Sequence, residues 1–145
     1  FGSQGQGVRL VNSKKLPLPM DAFVDGVFYL QQFIEASCDY RVFVVNNQVV
    51  AAMQRTGETW LHNVAQGARC ENIMNKSAEK DVLEVALQAS SVLDIAYCGV
   101  DVIRDKAGKC WVLEVNSIPA WRGLQEVTQT NIAQVLVNDF LSQIE

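Results

Sequence analysis

Three oxygen-bearing side chains near the C-terminal end have the spacing of a cation site. These are Asp101, Glu114 and Asn116. If the chain turns between Ala107 and Gly108, Asp101 lies directly opposite Glu114 on a paired strand, and Asn116 shares their face. Opposed carboxylates repel unless a cation lies between them, and hard oxygen donors suit Mg²⁺ or Mn²⁺. We therefore predict a divalent-metal site. The alternative is that these are solvated side chains on an exposed sheet face.

The first seven residues, FGSQGQG, are rich in glycine. Backbone N–H groups of such a loop can surround phosphate oxygens. It is not a Walker loop, because no Lys-Ser or Lys-Thr pair follows Gly7, and a terminal linker is the alternative interpretation. Together with a divalent-cation hairpin, the loop indicates metal-nucleotide binding.

The rest of the chain predicts an α+β fold. Strands are predicted at residues 27–33, 40–45 and 49–55, with an Asn46-Asn47 turn before the third, and the metal hairpin supplies two more. Two amphipathic helices are predicted to pack on the sheet. The first begins at Ser77 and buries Val82, Ala86, Ala89 and Leu93. The second begins near Thr130 and buries Ile132, Leu136 and Phe140, with Val137, Leu141 and Ile144 widening its face.

These motifs resemble, in the same order, those of the ATP-grasp carboxylate–amine ligases, and among them the RimK-like ligases that add glutamate or related amino acids. The resemblance extends over nearly the whole chain and includes the segments 29–34, Asp39-Tyr40-Arg41, 49–55, 63–67 and Asn116-Ser117-Ile118-Pro119. It implies an ATP-grasp C-terminal half-domain, mainly an antiparallel sheet packed by two longer helices. It also implies an ATP-dependent reaction through an acyl phosphate.

The resemblance also implies roles for individual residues. For ATP, the implied contacts are Gly2, Ser3, Gln4, Gly5 and Gly7 over the phosphates, Gln32, Phe33 and Ile34 beside adenine, and Asp39 at the ribose. The implied catalytic residues are Arg55 and Asn116, and the implied substrate contacts are Arg41 and Asn63. The implied ligands of two Mg²⁺ ions, replaceable by Mn²⁺, are Asp101, Glu114 and Asn116. Arg122 is a further candidate substrate contact by its position, because it lies just after the metal strand, where an acceptor carboxylate needs a cation.

The positions of the two site arginines depend on the hairpin between them. With a regular two-residue turn at Asn46-Asn47, Arg41 pairs with Ala52 and Arg55 with Cys38, which puts the arginines on opposite faces. Both reach one site only if a β-bulge interrupts the pairing.

The chain departs from the family pattern at its start. Family members carry a lysine just before the glycine-rich loop and two upstream regions, none of which is present, so residues 1–145 are predicted to be a C-terminal fragment that is inactive alone. Gln32 replaces the usual acidic residue beside adenine. We predict a ligase that joins a small-molecule or peptide carboxylate to an amino-acid amine. A non-catalytic ATP-binding regulatory module and an ATP-grasp ligase of another substrate class are the alternatives.

The composition argues against a nucleic-acid-binding, disulfide-rich or membrane-spanning protein. The net charge of −4 and the pI near 5.0 argue against a nucleic-acid partner. The four cysteines have irregular spacing, which indicates neither zinc nor a disulfide framework. No apolar run is long enough for a membrane span, so a cytoplasmic location without a membrane partner is predicted. Homo-oligomerisation stays open.

Overall fold

The structure is a computed structural model and describes residues 8, 10, 11, 29–57 and 68–144. Its contacts divide the chain into two compact units, Phe1–Ile34 and Glu35–Glu145. The glycine-rich loop and Asn63 lie outside the described residues. In the first unit, residues 29–34 form neither strand nor helix. The predicted strand at 27–33 is therefore wrong over its described part, where Tyr29 and Leu30 are 84% and 73% exposed and have no buried face to hold a pairing.

The second unit is built on a five-stranded antiparallel sheet in the order β3-β2-β1-β4-β5. The strands are β1 (Asp39–Val45), β2 (Gln48–Thr56), β3 (Arg69–Asn72), β4 (Tyr97–Arg104) and β5 (Cys110–Asn116). A short 3₁₀ helix (Ser77–Glu79) precedes α1 (Lys80–Leu93), and the strands are followed by α2 (Arg122–Gln125) and α3 (Ile132–Ser142). The predicted α+β, mainly antiparallel class is confirmed.

Two apolar clusters lie on the two faces of this sheet. On one face, alternate residues of β1 and β4 pack against α1. On the other face, Phe43, Ala51 and Met53 pack against Leu124 of α2 and Ile132 of α3. Because α2 and α3 cover only the part of the second face around Phe43, the part nearer the start of β1 is left for polar side chains.

The β1–β2 hairpin turns where the sequence predicts. Asn46 and Asn47 have φ values of 45° and 58°, the left-handed conformation of a type I′ turn that asparagine tolerates. Val44 pairs with Val49 but Phe43 pairs with Ala51, so a β-bulge interrupts the ladder.

The burial of the apolar residues of the two long helices agrees only partly with the prediction. In α1, Val82 and Ala86 are buried, but Leu93 is 54% exposed because it is the last residue before the chain leaves the helix. In α3, Ile132 is buried and Leu136 packs on the same cluster, but Phe140 is 63% exposed. The reason is that α3 contacts the sheet through its first turns only. The residues predicted to widen its face are exposed as well: Val137, Leu141 and Ile144.

No helix within the described ranges is long and apolar enough to cross a membrane. The four cysteines are all described and are free thiols: Cys38, Cys70, Cys98 and Cys110.

Candidate functional site

The register of the sheet brings the predicted arginines and carboxylates to one face. Asp39 pairs with Arg55, Arg41 pairs with Asp101, and Asp101 pairs with Glu114 on the far strand. Directly paired residues share a face, as do alternate residues along one strand. All five side chains therefore point to the same side of the sheet, which we call the site face.

The bulge in the β1–β2 hairpin makes this possible. Val50 is the extra residue between the pairs on either side of it. It shifts the later part of β2 by one position, so that Arg55 faces Asp39 instead of Cys38. A shift of one residue turns every following side chain to the other face of the strand. The prediction that Arg41 and Arg55 meet only through a bulge is confirmed.

The metal hairpin has the predicted pairing at the carboxylates. Asp101 lies opposite Glu114, and Gly99 lies opposite Asn116. The two acidic side chains and the amide are thus neighbours on the site face, as the sequence predicts.

The turn of this hairpin differs from the prediction by one residue. Arg104 pairs with Cys110, so the loop is centred on Ala107 itself. A second β-bulge, at Leu113, offsets this one-residue difference, so that Asp101 still pairs with Glu114. The simple turn assumed from the sequence is therefore wrong, although the carboxylate pair that it predicts is right.

Two arginines and two aspartates form a buried ionic network. Arg41 Nη2 donates to Asp101 Oδ2 at 2.8 Å, and Arg41 Nε lies 2.7 Å from Oδ1. Arg55 Nη2 donates to Asp101 Oδ1 at 2.9 Å, and its Nε donates to Asp39 Oδ1 at 2.5 Å. These side chains are only 8–14% exposed. Removal of one partner would leave a buried charge uncompensated.

The network favours the charged form of Arg55. Burial lowers the pKa of Arg55, but Asp101 and Asp39 more than offset this and raise it above its ordinary value. Arg55 is therefore a permanent cation at the floor of the site face.

The two opposed carboxylates differ in pKa: that of Asp101 is raised and that of Glu114 is lowered. Burial raises the pKa of Asp101 to about 6, against the effect of Arg55 and Arg41, and Glu114 adds to the rise. Glu114 is exposed; a hydrogen bond from Asn116 Nδ2 at 2.8 Å, together with one from Asp101, lowers its pKa. The pair therefore shares a proton at low pH, and at higher pH it carries two negative charges that repel each other.

These donors fit a magnesium ion. A cation can take the place of the shared proton between Asp101 and Glu114, and both residues offer carboxylate oxygens. Within the part of the chain that the structure describes, no group of three or more His, Cys, Asp or Glu side chains could hold a metal. The third protein donor would therefore be the amide oxygen of Asn116, as the sequence predicts.

An open cavity lies at α2. Its volume is about 580 Å³, and it is lined by Ala120, Trp121, Arg122, Gln125 and Glu126. The indole of Trp121 packs edge-on against Phe43, with ring centroids 5.9 Å apart. The Arg122 side chain is 95% exposed, and its Nε lies 3.8 Å from Glu126 Oε1. A weak, exposed ion pair of this kind leaves Arg122 available to an anionic ligand.

One aromatic residue of the site face was not identified from the sequence. Trp111 pairs with Ile103, which in turn pairs with Asp39. Lys109 Nζ lies 3.7 Å from the centre of the indole ring, and Trp111 Nε1 donates to Asp105 at 2.9 Å. Strand alternation could have placed Trp111 on this face only with the correct loop length, because a one-residue error reverses the face.

The predicted adenine contacts belong to the first unit. Gln32 and Phe33 are exposed there, and Ile34 is partly buried. Their role beside adenine stays a prediction.

Comparison with known proteins relates the chain to one family along nearly all of its length. A family model described as the RimK-like ATP-grasp domain matches residues 1–140. The tetrahydromethanopterin:alpha-L-glutamate ligase of Methanocaldococcus jannaschii is 38% identical over 157 residues, covering 100% of this chain and 52% of that protein. A probable alpha-L-glutamate ligase of Haemophilus influenzae is 36% identical over 144 residues, covering 94% and 46%. The chain spans about half the length of the curated relatives it matches.

Solved structures share the fold. The ATP-grasp ligase PsnB complexed with minimal precursor has a TM-score of 0.62 at 23% identity, covering 79% of this chain and 37% of that one. PsnB complexed with a phosphomimetic variant of minimal precursor, Mg and ADP has a TM-score of 0.58 at 24% identity, covering 75% and 33%. With the antiparallel sheet and the family match along nearly the whole sequence, the chain belongs to the RimK-like ATP-grasp family.

Proposed function

We propose that the protein containing this chain is an ATP- and magnesium-dependent ligase that forms an amide bond between a carboxylate and an amine. The amine is that of glutamate or a related amino acid, and the carboxylate belongs to a small molecule or a peptide. The observation that carries the proposal is the buried arginine–aspartate network beside the opposed Asp101–Glu114 pair. The names of the curated relatives, which are glutamate ligases, support the choice of amine.

The charge balance of the site face explains the need for a divalent cation. The guanidinium groups of Arg41 and Arg55 face the carboxylates of Asp39, Asp101 and Glu114, which is two positive charges against three negative ones. A site with this balance attracts cations and repels the phosphates of free ATP. Magnesium bound by Asp101, Glu114 and Asn116, as two ions in our proposal, would reverse that balance and neutralise charge on the phosphates.

The residues of the chain would then act mainly by positioning. Arg55 would contact the transferred phosphate from the floor of the site face, and Asn116 would complete the site at its edge. Asp39, at the start of β1, would face the ribose of ATP. Arg41 and Asn63 would contact the carboxylate substrate. The glycine-rich loop and residues 32–34 would cover the phosphates and adenine.

The proposed reaction has two steps. A carboxylate oxygen of the first substrate attacks the γ-phosphorus of ATP, the bond to the bridging oxygen breaks, and an acyl phosphate and ADP form. The amine nitrogen then attacks the acyl carbon, loses a proton, and inorganic phosphate leaves. Positioning and charge neutralisation supply most of the rate enhancement in reactions of this kind.

The cavity beside α2 suits the amine substrate. An amino acid brings a carboxylate, which the exposed guanidinium of Arg122 can bind, and an aliphatic side chain or backbone, which can rest against Trp121. The segment that leads into this cavity directly follows β5, which carries Glu114 and Asn116.

The test uses the full-length protein with magnesium-ATP. We expect phosphate release that depends on both a carboxylate and an amine, with L-glutamate among the amines, and a product heavier than the carboxylate substrate by the mass of the amine minus water. A chelator should abolish both signals. ATP binding without release for any substrate pair would favour the regulatory-module alternative. Release with other amines but not glutamate would favour a ligase of another substrate class.

A further inference from the structure

Gly99 is the position on the site face of β4 that carries no side chain. This residue is buried in β4, between Phe43 of β1 and Asn116 of β5. A Cβ atom at position 99 would lie 2.7 Å from Cβ of Pro119 and 2.8 Å from Nη1 of Arg41. Both distances are well inside the van der Waals contact of about 3.5 Å or more between such atoms. Pro119 and Arg41 therefore occupy the space that any other residue at position 99 would fill.

The backbone at Gly99 does not itself require glycine. Among the described glycines, the only one with positive φ is Gly108, at 85°. A β-strand residue with an ordinary φ accommodates alanine, and glycine in a strand interior weakens the strand. The constraint at Gly99 is therefore the space taken by its two neighbours.

The two neighbours differ in how they can respond. Arg41 is a flexible side chain whose other nitrogens hold Asp101 at 2.7 and 2.8 Å. Pro119 is buried and its ring is rigid, so it can yield only if the segment between β5 and α2 moves. That segment begins directly after Asn116, and it leads to Trp121 and the cavity.

We propose that Gly99 is a positioning residue that sets where the Arg41 guanidinium lies relative to the Asp101–Glu114 pair. Through its contact with Pro119, Gly99 also sets how closely the segment after Asn116 packs on the sheet. A methyl group at position 99 displaces Arg41 from Asp101, lifts Pro119, or does both. The functional part of this inference rests on the proposed ligase activity.

The test is Gly99→Ala in the full-length protein. A misplacement of about 1 Å can cost a hundredfold in rate, so we expect kcat to fall about tenfold to a hundredfold, with KM for ATP changed by less than about threefold. The matched control is Gly108→Ala, which adds a methyl group where no atom lies within 4 Å but where φ is 85°. The control should lower the melting temperature through backbone strain and leave kcat unchanged.

A rescue variant separates positioning from general destabilisation. Pro119→Gly removes one of the two atoms that the new methyl group would meet and leaves Arg41 Nη1 in place. The double variant Gly99→Ala, Pro119→Gly, measured against Pro119→Gly alone, should therefore recover the part of kcat that is lost through Pro119. If Gly99→Ala does not fold, the double variant should restore folding. A single variant with wild-type kcat would overturn the proposal. A double variant with no recovery would support the effect through Arg41 if Arg41 is displaced in the structure of Gly99→Ala, and would overturn the proposal if Arg41 is not displaced.

A crystal structure of Gly99→Ala keeps this inference distinct from the proposed function. If the wild-type protein turns over no ATP with any substrate pair, the ligase proposal fails. Displacement of Arg41 or Pro119 in the variant would still support the spatial part of the inference. Unchanged positions of both residues would overturn it whatever the activity.

Discussion

Arg41 and Asp101 make a two-point ionic contact across neighbouring strands, at 2.7 and 2.8 Å, although they are 60 residues apart in the sequence. The same aspartate accepts from Arg55 and faces Glu114 on its other side. Asp101 is therefore the point at which the cationic and the anionic parts of the site meet. A change at any of these residues alters the balance at the others.

Glu114→Gln should remove most magnesium-dependent ATP turnover of the full-length protein and leave its fold intact. Glu114 is exposed, so its loss costs little stability, but it supplies one of the two carboxylates opposed across β4 and β5. Loss of a charged metal ligand should lower kcat by roughly two to four orders of magnitude. Steady-state phosphate release measures this effect.

The matched control for this variant is Glu84→Gln, which makes the same chemical change at an exposed position of α1. It should keep wild-type activity. Glu114→Gln activity within about threefold of wild type would contradict the assignment of this residue as a metal ligand.

Arg55→Met should destabilise the fold by about 3 to 5 kcal/mol, because it removes one cation from a buried ionic network. Asp39 and Asp101 would lose a partner at 2.5 and 2.9 Å. Urea unfolding of the 145-residue chain, followed by tryptophan fluorescence, measures the loss. The two apolar clusters of the second unit lead us to expect that this chain folds alone.

Adding Asp39→Asn to the Arg55 variant provides the control. Neutralising Asp39, one of the two carboxylates that lose the guanidinium of Arg55, should recover part of the lost stability, so the double variant should be more stable than Arg55→Met alone. Equal stability of the two variants would show that Asp39 and Arg55 are not coupled.

The metal-free protein should lose stability as the pH rises through about 6. In the folded protein the pKa of Asp101 is about 6, above its ordinary value of 3.8. A raised carboxyl pKa contributes stability fully below the ordinary value, and this contribution is lost as the pH passes the folded value. The loss should reach at most about 3 kcal/mol. Urea unfolding between about pH 4 and pH 8 measures it.

Two comparisons isolate the cause of this pH dependence. Glu114→Gln removes the charge opposite Asp101, so the loss of stability should move to lower pH. Magnesium at high concentration should reduce the loss, because the cation replaces the shared proton. A pH dependence that is identical in wild type and Glu114→Gln would exclude the carboxylate pair as its source.

Asp94→Gly should stabilise the chain by about 1 kcal/mol through two changes at the end of α1. Asp94 has the left-handed conformation, with φ of 52°, and its N–H donates to the Ser91 carbonyl. Its carboxylate also lies at the negative end of the helix dipole, where no basic residue occupies the last turn. Thermal unfolding measures the gain.

Asp94→Asn separates these two causes, because it removes the charge and keeps a side chain that tolerates the left-handed conformation. It should give part of the gain, about 0.3 to 1 kcal/mol. If neither variant is more stable than wild type, the end of α1 is not strained in the way that its dihedral angles indicate.

The parts of this protein that the sequence determined are those set by neighbouring residues. Alternation along the strands and the equal spacing from the turn predicted the Asp101–Glu114 pair, and it is present. The positive φ of Asn46 and Asn47 follows from the chemistry of asparagine itself. Local rules of this kind depend on a few adjacent positions and need no knowledge of the rest of the fold.

The tertiary structure decided what depends on contacts between distant segments. The sequence contains no local signal for the bulges at Val50 and Leu113, because a bulge exists only relative to the pairing with a partner strand. The exposure of Phe140 has the same origin, since helical periodicity identifies an apolar stripe but not how much of its length meets a sheet. Arg41 and Arg55 lie on one face because of the register between β1 and β2, and this register also sets the charge balance of the site. The neighbours of each arginine in the sequence do not determine it.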